Sequence, residues 1–483
     1  MTLATSSSDA VKIIIEQEGK RKLASTISEE WFESKMSAEF KEIRKNLLQI
    51  KTGDELDKRL SELDANFTKL KESDSQFFVS QVIPLRALRG ISWRLIPLVS
   101  ETKLAHSFVL SIVKSMYTGA NLFFPTNQTT AMSQYLTQPF VEDGVAPWER
   151  KGEAALAFAP PSAGGEAQLQ AHFKSVVIPM LETAAERILK VQFTNDWRVF
   201  DNRLWYGGET FPDVIDRYAL VGEVERYTAL ANIYSAVATF SQQTAYSWNT
   251  SLEMNAAISR LYGMDALISS VDGVPLRKRV AVMNQTRFSQ WGRLIHPELI
   301  QKAWRNMQNA VTSTQNAWQG MKNRPVSEYT MIDNSSSLPF QRPVNARLAG
   351  MKNLMEGQAT VVNGVTRNLA TVVSGITREQ IQVDLKGFFA NPPENLREMH
   401  PTKFVEGKEF ESVTLKTESG TKKLEYRNYT IGSGQQWNLT ETSKYKVLFP
   451  FVKDNADLKL HLRVLSQGWG ATALIAPLMD NFY

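Results

Sequence analysis

The sequence predicts a mainly α-helical protein, with a large helical body and a smaller β-containing portion after residue 400. Between residues 26 and 72, apolar residues recur at alternating steps of four and three, and after residue 400 the pattern changes to shorter, strand-like runs. A chain of 483 residues that is 43% hydrophobic and 22% charged can bury a large core. We expect an arm at 1–25, a helical main domain at 26–400 and a β-containing region at 401–483 packed on that domain.

The clearest helical pattern lies near the start of the chain, on both sides of a Gly-containing turn. It predicts an antiparallel hairpin of two amphipathic helices over residues 28–50 and 54–72. Thr26 and Glu29 are spaced as a capping box ahead of the first helix. Core packing is the preferred interpretation of the apolar stripes, and a coiled-coil partner site is the alternative, because the rhythm lasts under two heptads after the turn.

The next stretch, residues 81–100, is divided by three helix breakers: Pro84, Gly90 and Pro97. It also carries three arginines among apolar residues, which could form a semi-buried contact strip: Arg86, Arg89 and Arg94. We expect a helix from Thr102 to about Tyr117. Residues 150–168 are rich in Ala, Gly and Pro and are expected to form a surface loop.

Between Pro212 and Tyr262, apolar and aromatic residues occupy nearly every side of the predicted helices. A helix that is apolar all round is buried within a large body or an oligomer. We therefore expect two or more long helices at the centre of the fold and a protein that associates with itself. A further helix is expected over 297–318, a β-hairpin around 413–426 and a strand at 444–452.

Positive charge is concentrated between residues 271 and 370. This segment holds thirteen Lys and Arg against five Asp and Glu, a net charge of +8, while the whole chain carries only +5. Such a segment indicates a surface that meets a polyanion, because Lys and Arg release counterions when they neutralise phosphates. A solvated face is the alternative. The candidate nucleic-acid-binding residues are Arg277, Lys278, Arg279, Arg287, Arg293, Arg305 and Arg324.

Residues that carry chemistry form no recognisable pattern. The absence of cysteine excludes disulfides, thiolate metal sites and cysteine nucleophiles. The five histidines are scattered singly, and no nucleotide-binding or serine-hydrolase motif occurs. Four aspartates between 196 and 216 are irregularly spaced, which favours caps and ion pairs over a metal site. We expect no catalytic site, no metal and no cofactor; an enzyme with an unfamiliar site is the alternative.

The chain shows neither a signal peptide pattern nor an apolar stretch long enough to cross a bilayer. These features predict a soluble intracellular protein without a membrane partner.

The segment FPDVIDRYALVGEVERYTALANIYSAVATFSQQTAYSWNTSLE (211–253), with the size and the predicted helical body, resembles the capsid proteins of the partitivirus group, small double-stranded RNA viruses. The resemblance implies a helical shell domain, paired subunits in a closed icosahedral shell and a protruding region. It also implies location in a virion that is assembled in the host cytoplasm. Residues 1–75 hold thirteen basic and fifteen acidic residues, so we expect the RNA contact within 271–370 rather than in a basic tail.

Two other structural functions fit the same observations. One is an RNA-coating nucleoprotein of a negative-strand virus, in which the basic segment would line a groove between two lobes. The other is a phage virion or secretion-apparatus component, in which the basic segment would meet an acidic protein partner.

Overall fold

A computed structural model describes residues 29–100, 157–193, 218–262, 282–322 and 379–399. Shorter described pieces lie at 131, 135–136, 198–201, 203–206, 360–364, 404–406, 410–417, 420–427, 435–437 and 448–449. Within these residues the protein is mainly helical, which confirms the predicted class. The predicted arm at 1–25 and the predicted helix at 102–117 lie outside them, and the division at residue 400 stays a prediction.

The helices before residue 210 are α1 (Glu29–Ser34), α2 (Ala38–Leu48), α3 (Gly53–Ala65), α4 (Ser73–Val82), α5 (Ile91–Arg94), α6 (Ile96–Ser100), α7 (Gly165–His172), α8 (Ile178–Lys190) and α9 (Arg203–Tyr206). The later ones are α10 (Glu223–Ala245), α11 (Ser251–Tyr262), α12 (Pro297–Lys322) and α13 (Leu385–Ala390). Short 3₁₀ turns connect several of them, including Ile83–Leu88 between α4 and α5. The three predicted breakers in 81–100 therefore do divide that stretch into short helical pieces.

The first helix of the predicted hairpin is broken in two. Ser37 is extended and caps α2 by accepting a hydrogen bond from the Phe40 N–H, and its own N–H is held by the buried Asp74. That N–H is consequently withheld from the carbonyl of Glu33, which would have continued α1. A capping box does occur, but at Thr52 and at the start of α3; the predicted box at Thr26 involves a residue outside the described part.

The apolar stripes of α2 and α3 are buried as predicted, although the two helices contact each other little. Both pack on α4. Their apolar positions line one hydrophobic core together with aromatic residues from distant segments. Phe40 contacts both Phe78 and Phe200, with ring centroids 5.3 Å apart in each pair, and Phe77 stacks on Phe200 at 5.6 Å. Burial of each such ring contributes roughly 1.5–3 kcal/mol, so this cluster holds the N-terminal helices in place.

The predicted surface loop at 150–168 is wrong for 165–168, which are helical; 157–164 form turns, and 150–156 lie outside the described residues. After a 3₁₀ turn at Pro161–Ala163, α7 begins at Gly165, and Phe158 is buried. A π-helical turn at Phe173–Val177 joins α7 to α8, whose second residue, Pro179, has no N–H to offer the preceding turn. An Ala- and Gly-rich composition is typical of a loop, but small residues here also let the chain pack closely.

Helix α10 lies at the centre of the described fold, packed between α8 and α12. Thirteen of its 23 residues are buried, in agreement with the apolar pattern around its whole circumference. The prediction of helix from residue 212 onward is wrong for Tyr218–Val221, which form a buried strand. Gly222 separates this strand from the helix, and the Glu225 side chain accepts a hydrogen bond from its N–H at 2.9 Å.

Strands pair two by two in the described residues, each pair antiparallel. The pairs are β1 (Arg198–Asp201) with β2 (Tyr218–Val221), β3 (Thr360–Gly364) with β4 (Glu379–Val383), β5 (Phe404–Glu406) with β8 (Gln435–Trp437), and β6 (Phe410–Thr417) with β7 (Gly420–Arg427). The β6–β7 pair is the predicted hairpin, with Val413 opposite Leu424. Leu448 and Phe449, the described residues of the predicted strand at 444–452, are not in a strand. The Leu448 carbonyl accepts a hydrogen bond from the Asp384 N–H beside α13.

Candidate nucleic-acid interface

Three of the seven predicted phosphate-binding residues lie in the described part: Arg287, Arg293 and Arg305. The backbone around Arg293 forms an extended segment held from two sides. Its carbonyl accepts a hydrogen bond from Ser247 N–H at 2.7 Å, and it pairs with Asn395 in an antiparallel bridge. The segment is thus fixed between the end of α10 and the residues after α13, and the Arg293 side chain is left exposed.

Gly292 is required for this arrangement. Its φ is +75°, in the left-handed region that other residues adopt at a cost, and a Cβ there would lie 3.1 Å from the Cβ of Leu396. The Leu396 N–H donates a 2.8 Å hydrogen bond to the Gly292 carbonyl, so the two backbones approach closely. The turn at Gly292 therefore decides the direction in which Arg293 leaves the body.

Arg287 lies near this segment, on the surface. Its guanidinium stacks over the Phe288 ring at 4.5 Å and donates to the Gln285 side chain at 2.9 Å. It also lies 3.4 Å from a carboxylate oxygen of Glu253, but the two side chains are 54% and 49% exposed. An exposed pair of this kind contributes at most about 1 kcal/mol, so the guanidinium can leave it for a phosphate.

Arg397 joins the two arginines, although it lies outside the basic segment and was missed by sequence reasoning. Its guanidinium donates a hydrogen bond to the Phe288 carbonyl. Burial, followed by the positive charge of Arg293, lowers the pKa of Arg397. Only the pairing of residues 292–294 with 394–396 brings it here, so the sequence carries no signal for it.

Arg305 lies on the exposed face of α12, in the third turn, and forms no ion pair within the described part of the chain. Its neighbour Lys302 is engaged, because its ammonium lies 2.9 Å from Glu182 on α8. Part of the +8 charge of residues 271–370 therefore holds helices together. Arg277, Lys278, Arg279 and Arg324 lie outside the described residues, so their position stays a prediction.

The arginines of the predicted contact strip at 86–94 are used inside the fold. Arg86 lies 2.9 Å from Asp64, and Arg89 lies 2.7 Å from Asp57. Arg94 stacks over the Phe158 ring at 4.6 Å, and burial lowers its pKa to about 10. The two ion pairs connect α3 to residues 86–89, and the third contact connects Arg94 to Phe158, so the arginines of the strip stabilise the fold.

Asp201, the described member of the four aspartates at 196–216, is fully buried and accepts hydrogen bonds from Arg203 at 2.6 and 2.9 Å. Arg44 of α2 lies 3.4 Å from the same carboxylate. This confirms the ion-pair interpretation for that residue. Across the residues that the structure describes, no group of three or more His, Asp or Glu is arranged to hold a metal ion.

No helix among those described has both the length and the apolar character that a bilayer crossing needs. Compared with known protein families, curated proteins and solved structures, the chain matches none. The resemblance to partitivirus capsid proteins stays a hypothesis.

Proposed function

We propose that this chain is a structural, self-assembling viral capsid protein that encloses an RNA genome. A basic inner surface contacts the phosphates and does not read the sequence. The observation that carries the proposal is the +8 charge within residues 271–370, with Arg287 and Arg293 on the surface and Arg397 brought beside them. The exposed guanidinium groups of Arg287 and Arg293 offer planar donors that match phosphate oxygens, and Arg397 adds positive charge beside Arg293.

The helical body is the proposed shell domain, with residues 401–483 as a β-containing portion packed on it. Long helices suit a shell, because rigid rods such as α10 and α12 transmit subunit contacts over a wide surface. Helix α12 has 26 residues and spans about 39 Å at 1.5 Å per residue. The proposed partners are further copies of this chain and viral RNA, in a virion assembled in the host cytoplasm.

Phosphate contact without base reading fits the chemistry of the three described arginines. Arg287 lies in a 3₁₀ turn and Arg293 in a short bridged segment, neither of which is shaped to enter a groove, whereas Arg305 lies on the exposed face of α12. Binding of this kind loses affinity steeply as salt is added, since each neutralised phosphate releases counterions. A shell needs such contact, because its inner surface must accept every part of the genome.

Negative-stain microscopy of the purified protein, combined with light scattering, tests the proposal. Closed spherical particles that contain RNA are the expected result. Filaments or rings along RNA would favour the nucleoprotein hypothesis over the capsid hypothesis. An assembly without RNA would favour the virion or secretion-apparatus component. A stable, folded 54.5 kDa monomer at micromolar concentration would overturn self-assembly altogether.

A further inference from the structure

A cavity of about 250 Å³ lies where the end of α10 and the start of α11 meet α6 and α7. Trp291 and Leu396, next to the turn at Gly292, close it from another side. Its walls include the residues on which the argument below depends: Glu166, Gln242, Trp248, Met254 and Asn255.

Most of this wall is apolar, with aliphatic side chains from four segments and two tryptophans. Apolar walls with a few placed polar groups are typical of sites for small molecules. Since a cavity of about 150 Å³ holds benzene, the space here accepts a compact molecule of about ten non-hydrogen atoms, the size of a fused bicyclic ring.

Gln242 supplies a hydrogen-bond donor at this wall that nothing in the described residues uses. The side chain is 1% exposed, and its Nε2 has no hydrogen-bond partner there. A buried amide N–H without an acceptor is unfavourable. Gln242 lines the cavity, so rotation of its side-chain amide would let an acceptor inside the cavity take this N–H. The side chain of Asn255, half-buried on the same wall, likewise forms no hydrogen bond with another described residue.

Glu166 is the one acidic residue of the wall, and its carboxylate already accepts three hydrogen bonds. It accepts from the N–H groups of Thr250 at 2.5 Å and Leu252 at 2.6 Å, and from the Ser251 hydroxyl at 3.1 Å. Those donors lie at the N-terminus of α11, so Glu166 caps that helix across 84 residues of sequence. With no Lys, Arg or His in the wall, an anionic ligand would face this carboxylate without compensation.

We propose that this cavity binds a small uncharged molecule with a compact apolar body and one hydrogen-bond-accepting oxygen, such as a carbonyl, which takes the Nε2–H of Gln242. The apolar body contacts the tryptophans and the aliphatic side chains. The site does not include Arg287, Arg293 or Arg397, and the proposal does not depend on the assembly of the chain.

Indan-1-one is a suitable probe, because it has ten non-hydrogen atoms, a fused ring and one carbonyl. Its Kd for the full-length protein is measured by ligand-observed NMR beside that of indane, which lacks the carbonyl. We expect the ketone to bind roughly three- to tenfold more tightly, the difference that one neutral hydrogen bond supplies. Equal affinities for the ketone and indane, or no binding of either, would overturn the proposal. Tighter binding of the charged indane-1-carboxylate or 1-aminoindane than of the ketone would overturn the assignment of an uncharged ligand.

Two variants and one control test whether the probes bind in this cavity. Gln242→Leu should abolish the preference for the ketone and leave the affinity for indane unchanged, whereas Gln319→Leu on the exposed face of α12 should leave both values unchanged. Met254→Trp should fill the space and remove binding of both probes. Retention of the ketone preference in folded Gln242→Leu would contradict the assignment of the donor. If that variant does not fold, the wild-type comparison and Met254→Trp still decide the outcome.

Discussion

The carboxylate of Asp74 binds both the backbone N–H and the hydroxyl of Ser37, at 2.9 and 2.7 Å. Asp74 is fully buried at the start of α4, and Ser37 is the residue at which the first amphipathic stretch changes from α1 to α2. One side chain therefore both breaks a helix and joins two segments that lie 37 residues apart.

Replacement of Asp74 by alanine should lower the free energy of unfolding by about 2–4 kcal/mol. The variant leaves two buried donors of Ser37 without an acceptor, and each carries a desolvation cost. Glu62→Ala is the control, since it removes only an exposed ion pair with Arg59; it should cost less than about 1 kcal/mol. Urea unfolding measures both, and equal losses would show that the Asp74 contacts contribute nothing.

Leu63→Asp should destabilise the protein by several kcal/mol, because Leu63 is 5% exposed and a charge would be buried without a partner. Leu47→Asp should cost less, since that side chain is only partly buried. Leu48→Asp is the matched control: Leu48 is 40% exposed, and its replacement should change the thermal midpoint little. Unchanged stability in Leu63→Asp would mean that the stripe of α3 is not buried.

Changing Arg277, Lys278 and Arg279 together to serine should weaken binding of unrelated RNA sequences alike and reduce the RNA content of particles. The double change of Arg293 and Arg397 to serine should act in the same way. The slope of log affinity against log salt should fall by about 0.7–0.9 for each phosphate that the variant no longer neutralises.

The control for these arginine variants is the pair Lys45→Ser and Lys58→Ser, which removes two exposed charges from α2 and α3. It should leave RNA affinity nearly unchanged, and filter binding at several salt concentrations measures all the variants. An unchanged salt slope and RNA content in the triple variant would contradict the proposed interface.

Stability should fall on acidification partly through His172. Burial, and then the charge of Arg94, lowers the pKa of this histidine below its usual value, although a 2.9 Å hydrogen bond to the Ala87 carbonyl opposes the shift. The unfolded chain therefore binds the proton more readily, and the free energy of unfolding decreases as the pH falls below about 6.5. His172→Gln should show a weaker dependence between about pH 7.5 and 5. A curve parallel to that of the wild type would exclude this contribution.

Much of the helical architecture could be predicted because its signals are local. The helical period can be read directly from the spacing of apolar residues along the sequence. This spacing indicated the apolar stripes of α2 and α3 and the apolar circumference of α10. The β6–β7 hairpin was also predictable, since strand-like residues flank a short polar turn. The errors arose where a single distant contact overrode local preference, as at Ser37.

The candidate interface was predictable only in part. Composition indicated the basic segment, but composition does not tell which charges are already paired. Lys302 is held by Glu182, whereas Arg293 is exposed, and nothing in their sequence neighbourhood distinguishes them. Arg397 could not have been included, because its proximity to Arg293 depends on backbone pairing across about a hundred residues.

The sequence by itself determined the mainly helical class, the apolar stripes, the central helix and the position of the positive charge, because periodicity and composition are properties of neighbouring residues. Only the tertiary structure decided that Asp74 breaks the first helix, that Arg397 joins Arg293, and that Gln242 faces a cavity. These three relationships depend on which distant backbone segments pack together. That choice follows from the free energy of burying the whole core rather than from any local pattern.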